Sequence, residues 1–245
     1  MATNVFVIPA YNEEANFPRL LADLEARPWL FPEGSRLIVV DDGSSDATAH
    51  MVDTYAGPLP IECLRMGQNQ GPGAAFRSGF DAALETCPDD ALVITLEADT
   101  TSDLDVLPTM IERANAGTDL VLASVHGGGQ MIGVSRQRRF LSVGAGLAMR
   151  FALGLDAATV SSFFRVYRAG ILRDAMIRYG NGFIREPGFA CKAEILSKLV
   201  QIRASVEEIP VDLDARRRQG DSKMQVMPTM LAYGRLAARQ WAGRS

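Results

Sequence analysis

The chain has 245 residues, is 47% hydrophobic and 22% charged, and carries a formal net charge of -4. That length and apolar content suit one large globular domain and argue against disorder. A sequence pI near 5.3 argues against a general nucleic-acid binder, which needs a cationic face for phosphate. Cys63, Cys87 and Cys191 are too widely spaced for a metal knuckle or a redox pair and read as reduced thiols. No leader pattern opens the sequence, and no run approaches the roughly 18 apolar residues of a membrane span. The expectation is a soluble, cytoplasmic protein.

Short β-branched runs alternate with helical stretches through the first half. Val5 to Ile8 reads as a strand, Glu13 to Arg27 as a helix, Leu37 to Val40 as a second strand. A helix from Asp46 to Tyr55 follows, with Ser45 as its expected cap and Asp46 complementing its dipole. Ile61 to Leu64 is a third strand, Pro72 to Thr86 a helix, Leu92 to Leu96 a fourth strand, Asp103 to Ala116 a helix and Asp119 to Ala123 a fifth strand. Apolar runs of this length between helices indicate a mostly parallel sheet covered on both faces. Ligands of such a sheet lie beyond the carboxyl ends of its strands. Three polar segments fall there: Pro9 to Glu13, Asp41 to Ser44, and Glu97-Ala98-Asp99.

The second half is less regular. His126 to Gly129 reads as a loop, Phe140 to Leu153 as a helix and Phe163 to Tyr167 as a strand. Helices are expected at Gly170 to Tyr179 and Pro187 to Val200, then a strand at Val206 to Val211 and a basic loop from Arg216 to Lys223. The last helix, Pro228 to Trp241, aligns Met227, Leu231, Gly234, Ala238 and Trp241 on one face. Core packing is the first expectation for that face, and membrane-surface contact the second. No repeat or linker interrupts the chain, so residues 1–245 are expected to form a single domain.

Glu97-Ala98-Asp99 is the most informative trio. Carboxylates two residues apart just beyond a buried strand suit a hard divalent cation, Mg2+ or Mn2+, that would neutralise a pyrophosphate. An acidic pair in a solvated turn has the same local signature, and only its place after the fourth strand separates the two readings. Asp41-Asp42-Gly43 could accept hydrogen bonds from a base or ribose, or form a plain strand-to-helix turn. The glycines of Asn69 to Gly79 follow the third strand and lack the third glycine of a dinucleotide fingerprint, which makes an oxidoreductase reading poor.

Four blocks in order, Ile8 to Glu13, Val40 to Asp46, Asn69 to Gly79 and Glu97 to Asp99, resemble the inverting glycosyltransferases of family 2. Asp119 to Ser124, Ser162 to Arg168 and Arg217 to Lys223 resemble the dolichol-phosphate mannose synthase branch, so the likeness runs from about Asn4 to Met224. The resemblance implies a GT-A fold: a Rossmann-like, open α/β sheet with helices on both faces. It implies a nucleotide-sugar half at 1–124, an acceptor half at 125–225 and a C-terminal helix at 226–245. Pro9, Tyr11, Glu13, Asp41, Asp42 and Ala98 would then bind the nucleotide sugar, and Glu97 and Asp99 the metal. Asp99, Arg217 and Lys223 would carry the chemistry, with Arg136, Arg139 and Ser162 on the acceptor side. The implied donor is a GDP- or UDP-linked hexose and the implied acceptor a polyprenyl phosphate, reached from the cytoplasmic face of a membrane. Glu97 stands where the branch has Asp, Val125 where it has Arg, and Phe163 where it has Gly. The alternatives are a hydroxyl acceptor, with Glu186 as its base, and a nucleotide-binding homologue without transfer activity.

Overall fold

The computed structural model describes residues 2–134, 146, 150, 154, 157–160, 162–220, 223–224 and 226–242. The expected helix from Phe140 to Leu153 falls largely outside them. One seven-stranded sheet contains β1 (Asn4–Ala10), β2 (Arg36–Asp41), β3 (Ile61–Arg65), β4 (Leu92–Thr95), β5 (Leu120–Ser124), β7 (Arg165–Arg168) and β8 (Val206–Pro210). Their order is β3-β2-β1-β4-β7-β5-β8, and β6 (Met131–Ile132) pairs separately with β9 (Leu213–Asp214). All neighbours in the large sheet run parallel except β7, which lies antiparallel to both β4 and β5.

The strands are buried on both faces because their side chains alternate between two cores. Val5 and Val7 of β1, with Ile38 and Val40 of β2, face α3 (Pro72–Thr86), α5 (Ala169–Tyr179), α6 (Cys191–Gln201) and α7 (Val226–Ala242). Phe6 and Ile8, with Leu37 and Val39, face α1 (Phe17–Glu25), α2 (Thr48–Asp53) and α4 (Leu107–Asn115). Each such Val, Ile, Leu or Phe stabilises the fold by about 1.5–3 kcal/mol through burial, which pins the strand register and hence the loops beyond it.

Two local expectations change. Ser45 does not cap α2; the Asp46 carboxylate accepts the Thr48 N–H at 2.9 Å instead. The face of α7 that packs is Thr229, Ala232, Tyr233 and Leu236, while Met227, Leu231 and Trp241 are exposed. Both stripes have helical spacing, and the small residues of the first allow the helix to approach the core closely.

Candidate active site

β1 pairs in parallel with β2 on one side and β4 on the other. The strand order reverses between β1 and β4, and such a reversal opens a crevice at the carboxyl ends where ligands bind. The loops after β1, β2 and β4 meet there, as their polar residues suggested.

The first two loops are laced together. Asn12 adopts φ 53, a left-handed conformation that Asn tolerates. Its N–H donates to Ser44 Oγ at 2.9 Å and its Oδ1 accepts the Ser45 N–H at 2.8 Å. The Glu13 N–H donates to Thr48 Oγ1 at 2.8 Å, and the Asp41 carboxylate accepts the Ser44 N–H at 3.1 Å. Pro9, Tyr11, Glu13 and Asp41 thus stand together at the ends of β1 and β2. Asp42 is turned elsewhere: its two oxygens accept the N–H groups of Gln70 at 2.7 Å and Gly71 at 2.8 Å. Burial pushes its carboxyl above the usual range, and those two bonds pull against it. The glycine loop it fastens is tightly hemmed in. A Cβ on Gly43, at φ 72, would lie 2.5 Å from the Gln68 carbonyl carbon, and one on Gly73 would lie 2.0 Å from the Glu186 carbonyl oxygen.

Beyond β4, Ala98 is buried and Glu97 and Asp99 flank it. One Asp99 oxygen accepts from the Thr101 N–H at 3.1 Å and Oγ1 at 2.7 Å; the other accepts the Arg218 Nε–H at 2.8 Å and a second bond from Nη2. Burial, and then the Asp99 charge, push the Glu97 carboxyl up, with Lys192 and Arg218 pulling it down. Thr100 has φ 58, a strained backbone for a β-branched residue, costing on the order of 1–3 kcal/mol. Its buried hydroxyl has no hydrogen-bond partner among the described residues. Glu97 and Asp99 offer carboxylate oxygens, the donor type a hard cation takes, and the Thr100 hydroxyl follows them in sequence. Among the described residues no cluster of three or more acidic, His or Cys groups is present, so such a cation would draw further ligands from phosphate and water.

The basic segment that follows β9 folds back across these loops. Ser102 bridges to Leu213 and the Asp214 N–H donates to the Thr101 carbonyl at 3.0 Å. Asn16 clamps the segment, accepting the Gln219 N–H at 2.7 Å and donating to the Gln219 carbonyl at 3.0 Å and to Glu13 at 2.7 Å. Lys223 Nζ donates to Glu13 Oε1 and the Asn12 carbonyl, each at 2.5 Å. Arg217 does not reach the acidic loop; it pairs with Asp23 of α1 at 2.5 Å, and Arg218 takes the place on Asp99. Arg217 ends a short 3-10 turn (Ala215–Arg217) and the chain turns extended at Arg218, so the two side chains leave in different directions.

On the far side of β4, Arg165 is buried and donates to the carbonyls of Ser162 at 2.8 Å and Val160 at 3.3 Å. Ser162 Oγ accepts the Phe164 N–H at 3.0 Å. Lys192, in the first turn of α6, is buried with Nζ 4.1 Å from the centre of the Phe163 ring and 5.2 Å from that of Phe189. Burial pushes its ammonium down and the Glu97 charge pulls it up. Glu186, expected as a base for a hydroxyl acceptor, is 2% exposed and is held by Arg239 at 2.8 Å and Arg235 at 3.4 Å from α7. Arg136 and Arg139 lie outside the described residues. Asn16, Arg218 and Lys192 escape the sequence reading. Arg218 was hidden in a run of arginines, and Lys192 stands in a largely apolar helix with no motif around it.

The model of the family described as Glycosyl transferase family 2 matches residues 5–175. An undecaprenyl-phosphate mannosyltransferase of Micrococcus luteus is 30% identical over 245 residues, covering 97% of this chain and 95% of the relative. An undecaprenyl-phosphate 4-deoxy-4-formamido-L-arabinose transferase of Pseudomonas fluorescens is 33% identical over 228 residues, covering 90% of this chain; the match spans 60% of that relative's length. A solved glucosyl-3-phosphoglycerate synthase from Mycobacterium tuberculosis, in complex with Mn2+, UDP and glucosyl-3-phosphoglycerate, superposes with TM-score 0.62 at 18% identity, covering 97% of this chain and 76% of that one. That likeness concerns the fold, and the GT-A expectation holds.

Proposed function

Because the chain belongs to glycosyl transferase family 2, we propose that it moves a hexose from a GDP- or UDP-linked donor to a polyprenyl phosphate. The observation that carries this reading is the basic segment folded over the acidic loops, with Arg218 on Asp99 and Lys223 on Glu13. A donor pyrophosphate and a phosphate acceptor repel each other, and these cations stand beside the strand ends where both would lie. The names of the two relatives above support undecaprenyl-type phosphates as the acceptor class.

In this reading Pro9, Tyr11, Glu13 and Asp41 line the nucleotide, and Arg218 and Lys223 exchange their present carboxylates for phosphate oxygens. Glu97 and Asp99 would hold Mg2+ or Mn2+, which when bound neutralises charge on the departing diphosphate. An acceptor phosphate is already ionised near neutral pH, so its oxygen attacks the anomeric carbon without a base. It does so opposite the nucleotide; the bond from that carbon to the β-phosphate oxygen breaks, and the diphosphate leaves with the electron pair. A hydroxyl acceptor needs a base, and the two arginines on Glu186 argue against that role for it.

The acceptor resides in a bilayer. No helix among the described residues is long and apolar enough to cross one. The exposed Met227, Met230 and Leu231 of α7 support docking on the cytoplasmic membrane surface. The test begins with thermal melts against GDP, UDP, dTDP and CDP, each with and without Mn2+. A ligand at a hundred times its Kd adds about 2.7 kcal/mol. Transfer of labelled sugar from the matching donor to undecaprenyl phosphate is then read in an organic extract. No melt shift with any diphosphate would sink the proposal.

A further inference from the structure

Lys192 is 5% exposed and lies in the first turn of α6. Lysines are almost never buried so completely without a partner, and the first turn of a helix is the end whose dipole opposes a cation. Among the described residues its ammonium closes no ion pair and donates no hydrogen bond. Two aromatic faces cover it, Phe163 at 4.1 Å and Phe189 at 5.2 Å. Its charged neighbours are Glu97 and Asp99, which attract it, and Arg165, which repels it. An apolar side chain of the same length would fill the space as well, so the ammonium is there for its charge: it faces the carboxylates of the acidic loop without a fixed contact to either.

The other cations of the site are already engaged: Arg217 by Asp23, Arg218 by Asp99 and Lys223 by Glu13. Position then decides what Lys192 serves. The donor-side residues stand over β1 and β2, the acidic loop ends β4, and Phe163, whose ring the ammonium faces, is separated from β7 by Phe164 alone, on the far side of β4. An ammonium and the positive end of an eleven-residue helix together favour an anion there. We propose that Lys192 binds the phosphate group of the acceptor. This rests on the transferase reading of the site, with the acceptor approaching from the side opposite the nucleotide.

The test uses the whole chain saturated with Mn2+ and whichever nucleoside diphosphate shifts its melt. Farnesyl phosphate, a short isoprenyl phosphate, is titrated in by calorimetry, with farnesol as the uncharged control. Lys192→Met should weaken farnesyl phosphate at least about tenfold, the loss expected for one charge-assisted contact. It should leave farnesol unaffected and the nucleotide affinity within about twofold, which also shows that the variant is folded. Lys192→Arg should recover part of the loss. Unchanged farnesyl phosphate binding in Lys192→Met overturns the proposal. So does an equal fall in nucleotide affinity, which assigns the ammonium to the donor. Wild-type protein that binds nucleotide but no farnesyl phosphate also overturns it, whereas failure to bind any nucleotide condemns the transferase reading first.

Discussion

Replacing Asp42 by Asn tests whether this residue fastens a loop or touches a ligand. Asp42 is 3% exposed, and its two oxygens accept backbone N–H groups from Gln70 at 2.7 Å and Gly71 at 2.8 Å. An amide of the same shape offers one oxygen, and its NH2 would face the second N–H. One buried backbone donor then lacks an acceptor, which costs about 1–3 kcal/mol, towards the upper end for a bond once made to a charge. Relief of the buried carboxylate offsets part of this, since burial holds Asp42 above its ordinary range. The expected net loss is about 2 kcal/mol, or roughly 4–8 °C in Tm for a chain of this size. Urea unfolding at neutral pH, with the slope compared between the two proteins, measures it. Stability unchanged to within about 0.5 kcal/mol, together with a large loss of nucleoside diphosphate affinity, would refute the reasoning and return Asp42 to the nucleotide.

Glu194 is 1% exposed and accepts the N–H groups of Arg185 and Glu186, each at 2.8 Å, and the Lys198 ammonium at 2.5 Å. Glu194→Ala should therefore cost about 3–5 kcal/mol by urea unfolding, and a loss below 1 kcal/mol would show that water replaces the carboxylate. Arg218→Ala frees one oxygen of Asp99, so Mn2+ alone should raise its melting temperature more than that of the wild type while sugar transfer falls at least about tenfold. Arg217→Ala should cost at most about 1 kcal/mol, because its pair with Asp23 is partly exposed; equal transfer defects in the two variants would contradict their separation here. Arg216 holds the Asp214 carboxyl down at about 2, below the ordinary 3.8. A depressed carboxyl stabilises above its unfolded value, so this contribution should vanish as pH falls from 3.8 towards about 2. Arg216→Gln should flatten stability against pH across that window, and an unaltered acid-unfolding profile would count against the pair.

Much of the donor side is legible in local pattern. Val5, Phe6, Val7 and Ile8 form an apolar run whose alternate members fill two cores, which makes β1 an inner strand. The alternation of such strands with helices carries the turns after β1, β2 and β4 to one edge, so the grouping of Tyr11, Asp41 and Asp99 follows from order along the chain. What local pattern leaves open is the partner of each charge. Arg218 and Asp99 are 119 residues apart in sequence, and Lys223 and Glu13 are 210 apart. Neighbouring arginines look alike until the 3-10 turn that ends at Arg217 sends them in different directions. The antiparallel insertion of β7 between β4 and β5, the face of α7 that packs, the capture of Glu186 by that helix and the burial of Lys192 are likewise tertiary outcomes. The sequence by itself determined which segments are buried and where the acidic loops emerge, because periodicity records burial. Only the tertiary structure decided which cation meets which carboxylate, because such pairing depends on the approach of distant segments.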